Sequence, residues 1–166
     1  MDIIRFHCVG DDYGSLSNSA PYPISLESKM WYTAEHFFQA QKFHDLQVQK
    51  QILLTRSVTD MLWIANNPKL RVRRDWDVLK LNFMRTAVRA KFTQIPSLKK
   101  LLLNTADAVL IDHDADDDYW SDGGDGNGRN MLGVVLMDVR DELRSREQDS
   151  SESPNEKVHP KGKHRP

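Results

Sequence analysis

Leu132, Val135, Leu136, Val139 and Leu143 fall on one face of a helix, and beyond Leu143 the apolar pattern stops. This stripe constrains the fold most, because an amphipathic helix needs a partner surface. The remaining segment, SREQDSSESPNEKVHPKGKHRP, carries one aliphatic residue, Val158. It buries too little to offset ordering entropy, so disorder is expected over 146–166 and a folded domain over 1–145. A second long helix is predicted from Trp76 to Phe92, with Trp76, Leu79, Phe83 and Ala87 at helical spacing and Asp75 as its cap. Strand candidates are short by comparison. IIRFHCV (3–9) reads as one, YPISLESKMW as two around a turn near Glu27–Ser28, and AVLID (108–112) as the last. Thr33 predicts a helix through about Leu46, followed by short helices over 45–55 and 58–66 that end near Asn66-Asn67-Pro68. Pro96-Ser97 opens one more, SLKKLLLN. The expected class is α+β: a small sheet surrounded by helices in a mostly α-helical single domain.

Composition narrows the function. A length of 166 residues fits one domain, and a net charge of −1 argues against broad electrostatic coating of nucleic acid. A local nucleic-acid contact stays open. No apolar run reaches the ~18 residues of a membrane span. The start MDIIRFHCVG lacks the basic end and apolar core of a signal peptide, so a cytoplasmic place is expected. Cys8 is the single cysteine, which rules out an internal disulfide and cannot anchor zinc alone. No metal or cofactor constellation is read, and nothing in the chain fixes an oligomeric state.

Residues 31–43, WYTAEHFFQAQKF, place Glu35 and Lys42 among aromatics. On a wheel of about 100° per residue, Lys42 falls about 20° from Glu35 and Gln39 about 40° to the other side. Phe38 and Phe43 flank that polar stripe, unlike a solvated face. Two plain readings compete with a site. Glu35 would complement the helix dipole for about 0.3–1 kcal/mol, and Lys42 would pack its stem with its ammonium in water.

The segment IDHDADDDYWSDGGDGNGRNMLG (111–133) is acidic and glycine-rich. A calcium loop starting at Asp114 would put Tyr119 at the turn position and Asp125 at the bidentate position, a poor fit. A phosphate cradle would use the N–H groups of Gly123, Gly124, Gly126 and Gly128, with Asn130 capping a helix behind them. A surface loop is the third reading, weakened by Tyr119 and Trp120, which need something to pack on. KLRVRRDW (69–76) groups Lys69, Arg71, Arg73 and Arg74 beside Trp76. It reads equally as an anion site with a stacking indole and as a solvated loop before a core tryptophan.

DDYGSLSNSAPYPI, WYTAEHFFQAQKF, RRDW, RAKF and DDYWSDGGDGNGRNMLGVVLMDVRDEL together resemble the NADAR family of YbiA-like N-glycosidases, in family order from about residue 5 to 144. The resemblance implies hydrolysis of a ribosyl C1–N bond without a cofactor. The substrate would be a phosphorylated ribosylamino-pyrimidine intermediate of riboflavin biosynthesis, or ADP-ribose on a guanine base, including one in nucleic acid. A binding module for ADP-ribose or a nucleotide, without turnover, is the non-enzymatic alternative. By resemblance Glu35, Lys42 and Asp117 carry the chemistry. Asn18, Arg73, Trp76, Trp120, Asp122, Gly123, Gly124 and Gly126 hold the substrate. Asp117 is chosen from Asp116-Asp117-Asp118 by its spacing of three from Trp120. A carboxylate near C1 would stabilise the oxocarbenium-like state or orient water. Lys42 would protonate the leaving nitrogen, or attack an opened sugar aldehyde as a neutral amine. Ser19 replaces the Phe usual after the Ser-Asn pair, and Ser121 the Gly usual after the loop tryptophan, so the pocket departs from the family pattern there.

Overall fold

The structure, a computed structural model, describes residues 1–152. Its elements in order are β1 (Ile3–Phe6), β2 (Ile24–Leu26), β3 (Lys29–Trp31), α1 (Ala34–Ala40), α2 (Leu46–Leu54), α3 (Val58–Ala65), α4 (Trp76–Gln94), α5 (Pro96–Asn104), β4 (Val109–Asp112) and α6 (Met131–Glu152). The class is α+β, as expected, with the strands divided between two separate pairs. β1 runs parallel to β4, from Ile3 opposite Val109 to Phe6 opposite Asp112. β2 and β3 form an antiparallel hairpin. Its two-residue turn holds Glu27 and Ser28 at φ 54° and 59°, the left-handed pair such a hairpin needs to follow strand twist.

Two apolar clusters fill the interior. In the first, the α6 stripe meets Val88 and Phe92 of α4, Leu98 and Leu102 of α5, and Phe6 and Leu110 of the parallel pair. The second gathers Ile24, Trp31, Phe37, Phe43, Val48, Ile52 and Met61. α1 serves both, with Phe38 in the first and Phe37 and Ala40 in the second. That is why it is apolar in several directions, and it places Glu35 at the seam.

Four expectations are corrected. The helix capped by Thr33 stops at Ala40 rather than Leu46. Thr33 does cap it, accepting from His36 N at 3.2 Å. The chain then turns because Asp45 starts α2, its carboxylate accepting from the N–H groups of Gln47 and Val48. Asp75 precedes α4 but makes no side-chain cap; its carboxylate is taken by Arg73 at 2.6 and 3.1 Å. The strand expected over 3–9 ends at Phe6, where Asp11 accepts from the N–H groups of His7 and Cys8. Finally, α6 continues to Glu152, so residues 146–152 are helical and not disordered. An ion pair from Lys99 to Glu147 at 2.9 Å secures that last stretch. The rest of the expected tail, 153–166, lies outside the described residues.

Candidate active site

α1 delivers Glu35 to the site. Its amide donates to the Asn18 carbonyl at 3.1 Å, and its carboxylate accepts one bond, from Gln39 Nε2 at 2.7 Å. Burial pushes the Glu35 carboxyl above the usual range. The Gln39 bond and the Lys42 charge oppose this, and the carboxylates of Asp112 and Asp117 add to the rise. Lys42 lies just beyond α1. Its Nζ donates to the Ala65 carbonyl at 3.1 Å and sits 5.7 Å from the Phe43 ring centroid. Burial pulls its pKa down against the pull of Glu35. Burial thus shifts the acid and the nearby amine each toward its neutral form, while their mutual charge opposes both shifts. Shifts in these directions bring the two groups nearer to each other in acidity, which is what acid–base or amine chemistry needs.

Phe38, between Glu35 and Lys42 in the same segment, is the centre of an aromatic cluster. It contacts Trp76 at 5.1 Å between centroids and Trp120 at 5.3 Å, nearly edge-on at 84°. Trp76 also stacks on Phe83 at 6.1 Å and 18°, and Trp120 meets Tyr119 edge-on. Both indoles are half-buried, leaving surface for a ligand ring. Three segments far apart in sequence are therefore brought together: 35–42, the start of α4, and the loop before α6.

The acidic loop is a scaffold, which corrects the phosphate-cradle expectation. Gly123, Gly124 and Gly126 have φ of 72°, 75° and 85°, so glycine is required there. Their N–H groups do not converge on open space. Gly123 N donates to the Asp117 carbonyl, Gly124 N to Asp122 Oδ1, and Gly126 N and Gly128 N to the Asp122 carbonyl. Asp122 is buried and also binds His113 Nδ1 at 2.9 Å. The His113 bond and the Gly124 N–H hold its carboxyl below the usual range. Asp122 is thus enclosed within the loop as its hub. The Asn130 side chain is directed to β4 rather than to the amides of α6. The residue sits at φ 51° and clamps β4, accepting from Asp112 N at 2.9 Å and donating to the Leu110 carbonyl at 2.8 Å. The N–H groups that open α6 donate to the carbonyls of Tyr119 and Trp120.

Asp117 has a double position. Its Oδ1 accepts from Tyr119 N and Trp120 N at 2.9 and 2.8 Å, so it aims the tryptophan, while its charge reaches Glu35. Arg73 is not a free phosphate ligand. It pairs with Asp75 and lies 5.3 Å from the Phe83 centroid, and its amide donates to the Lys42 carbonyl at 2.8 Å. Asn18 is buried, with Nδ2 toward Met84 Sδ at 2.9 Å and Oδ1 without a partner among the described residues.

The sequence reading missed Asp112. It ends β4, burial raises its pKa, and its charge acts on Glu35. Its Oδ2 accepts from the Ser121 hydroxyl at 2.7 Å. An acid ending an apolar strand where an unusual loop begins was the available signal. Among the described residues, no three His, Cys, Asp or Glu side chains converge as a metal site, and no helix is long and apolar enough to cross a membrane.

Comparison with known proteins places this geometry. The NADAR domain profile matches residues 5–144. An N-glycosidase YbiA of Shigella boydii is 44% identical over 141 residues, covering 85% of this chain and 88% of that protein. A riboflavin biosynthesis protein of Vibrio vulnificus is 38% identical over 141 residues, covering 85% of this chain and 38% of that longer protein. The NMR structure of Escherichia coli YbiA superposes with a TM-score of 0.84 at 39% identity, covering 95% of this chain and 92% of that one.

Proposed function

The chain belongs to the NADAR family, and from that premise we propose how it works and on what. It is an N-glycoside hydrolase acting on a small-molecule N-riboside, as its N-glycosidase relatives are named. The substrate proposed is a phosphorylated ribosylamino-pyrimidine of riboflavin biosynthesis, a role carried in the names of two further relatives. A cytoplasmic place and a catalytic unit within residues 1–145 complete the proposal.

One observation carries the mechanism: Glu35 and Lys42, each shifted by burial toward its neutral form, share a segment with Phe38, on whose ring Trp76 and Trp120 converge. Breaking the C1–N bond builds positive charge at C1. Ionised Glu35 stabilises that charge and takes a proton from the attacking water. Lys42 acts on the other partner. As an ammonium it protonates the leaving nitrogen. As a neutral amine it instead bonds to C1 as the base departs, the proton it sheds passing to the leaving nitrogen; the sugar ring then opens to a Schiff base, which water hydrolyses to free the sugar and restore the amine. The charge of Asp117 raises the Glu35 pKa and so makes its carboxylate a stronger base, and the two indoles flank the substrate's base. The loop glycines have their N–H groups engaged, so the phosphate falls to side chains. A groove of about 540 Å³ beside the Lys42 segment, lined by His44, Arg71 and Arg74 among others, supplies the positive charge.

Purified protein offered each substrate class, with products read by mass spectrometry, tests the reading. Free pyrimidine amine and ribose 5-phosphate are expected. Release of ADP-ribose from modified guanine, with the pyrimidine riboside untouched, would move the substrate to ADP-ribosylated bases. No turnover of either would leave only a binding module. Borohydride trapping separates the Lys42 routes, because only the amine route gives an adduct.

A further inference from the structure

Lys91 of α4 is fully buried and takes no part in the chemistry above. Its ammonium donates to two backbone carbonyls, Ser15 at 2.5 Å and Ser17 at 2.7 Å. The rings of Phe92 and Tyr22 lie 5.2 and 5.6 Å from it. Burial alone draws its pKa down to about 7, with no acidic partner opposing. A methionine would fill the same space without this desolvation cost. What only a multi-donor cation at the end of a long stem supplies is a grip on two carbonyls two residues apart.

The gripped segment leads directly to the site. Asn18 follows Ser17, its carbonyl accepts from the Glu35 amide at 3.1 Å, and its buried Oδ1 has no partner among the described residues. We propose that Lys91 is a positioning residue, tying the 15–18 turn to α4 so that Asn18 fixes the first turn of α1 and with it the Glu35 carboxyl. This rests on the reading of Glu35 as the group acting at C1. Without the tie, the turn relaxes, Glu35 gains water, and its pKa returns toward the ordinary carboxyl value.

The test compares Lys91→Met, Lys91→Gln and Glu35→Gln in the full chain, well below the unfolding transition. Lys91→Met is expected to lower kcat about ten- to a hundredfold, as small misplacements do, and to move the Glu35 titration, read by 13C NMR, toward acid. Lys91→Gln keeps two N–H donors and should recover part of both effects. A kcat within about twofold of wild type, or an unmoved Glu35 titration, would overturn the inference. Should Lys91→Met fail to fold, Lys91→Gln decides by the same two readings: a lowered kcat with a displaced titration supports the tie, and native values overturn it. Glu35→Gln keeps the two readings apart. If it retains turnover, the role of Glu35 fails; if it loses turnover while the Lys91 variants behave as wild type, only the positioning inference fails.

Discussion

The 35–42 segment and the 112–130 loop both supply acids to one site, yet they treat them in opposite ways. Glu35 accepts a single side-chain bond and is pushed toward neutrality by burial. Asp122 accepts from His113 and Gly124, and these bonds outweigh its desolvation and hold it ionised. An under-bonded buried carboxyl can change its charge during a reaction, and a fully bonded one cannot do so without breaking its surroundings. The difference assigns chemistry to the first region and architecture to the second.

Substitutions can break this contrast, and the largest effect is expected at Glu35. Glu35→Gln should lower kcat by about 10²–10⁴-fold, the range of a positioned acid or base, while the thermal transition and ligand binding stay near native. Gly124→Ala should act through the fold. Its Cβ would lie 2.8 Å from Ala115 Cα at a backbone φ of 75°, so a loss of about 2–4 kcal/mol is expected by denaturant unfolding. Asp122→Asn should cost about 1–3 kcal/mol, seen in urea melts. The sign with pH follows from its lowered pKa: the stabilisation is present above the ordinary carboxyl range and disappears as pH falls through the depressed value. Stability costs at Glu35 and turnover costs at Asp122, with the fold intact, would reverse the assignment.

The smallest effect sharpens the same contrast. Lys42 has a folded pKa below its ordinary value, so its charged form is disfavoured by folding at neutral pH. Lys42→Met should therefore raise Tm slightly near pH 7 while abolishing normal turnover. That gain should shrink as pH rises toward the unfolded value of 10.5. A lower Tm for Lys42→Met at neutral pH would show that the ammonium stabilises the fold instead.

Local signals were legible in the sequence where one residue decides the outcome. The Thr33 cap, the Glu27–Ser28 turn and the α6 stripe all appear as read. Competition between neighbours was harder to see. α1 stops early because Asp45 starts a new helix, and Asp75 fails as a cap because Arg73 takes its carboxylate. The loop was misread because glycines advertise free N–H groups, and only the fold shows that Asp122 and Asp117 already accept them. Lys91 was concealed differently. It stands seven residues after Met84 and four after Ala87, both buried, so a lysine on the apolar stripe of α4 was the signal that an interior cation awaited a purpose.

Titrating Glu35 and Asp122 together, by 13C NMR of their carboxyl carbons in the wild-type protein, tests the central contrast most directly. Glu35 is expected to titrate above 4.5 and Asp122 below 3.8. A Glu35 that titrates at or below its ordinary value would contradict the account, because the acid assigned to the chemistry would then be as firmly held ionised as the one assigned to the scaffold.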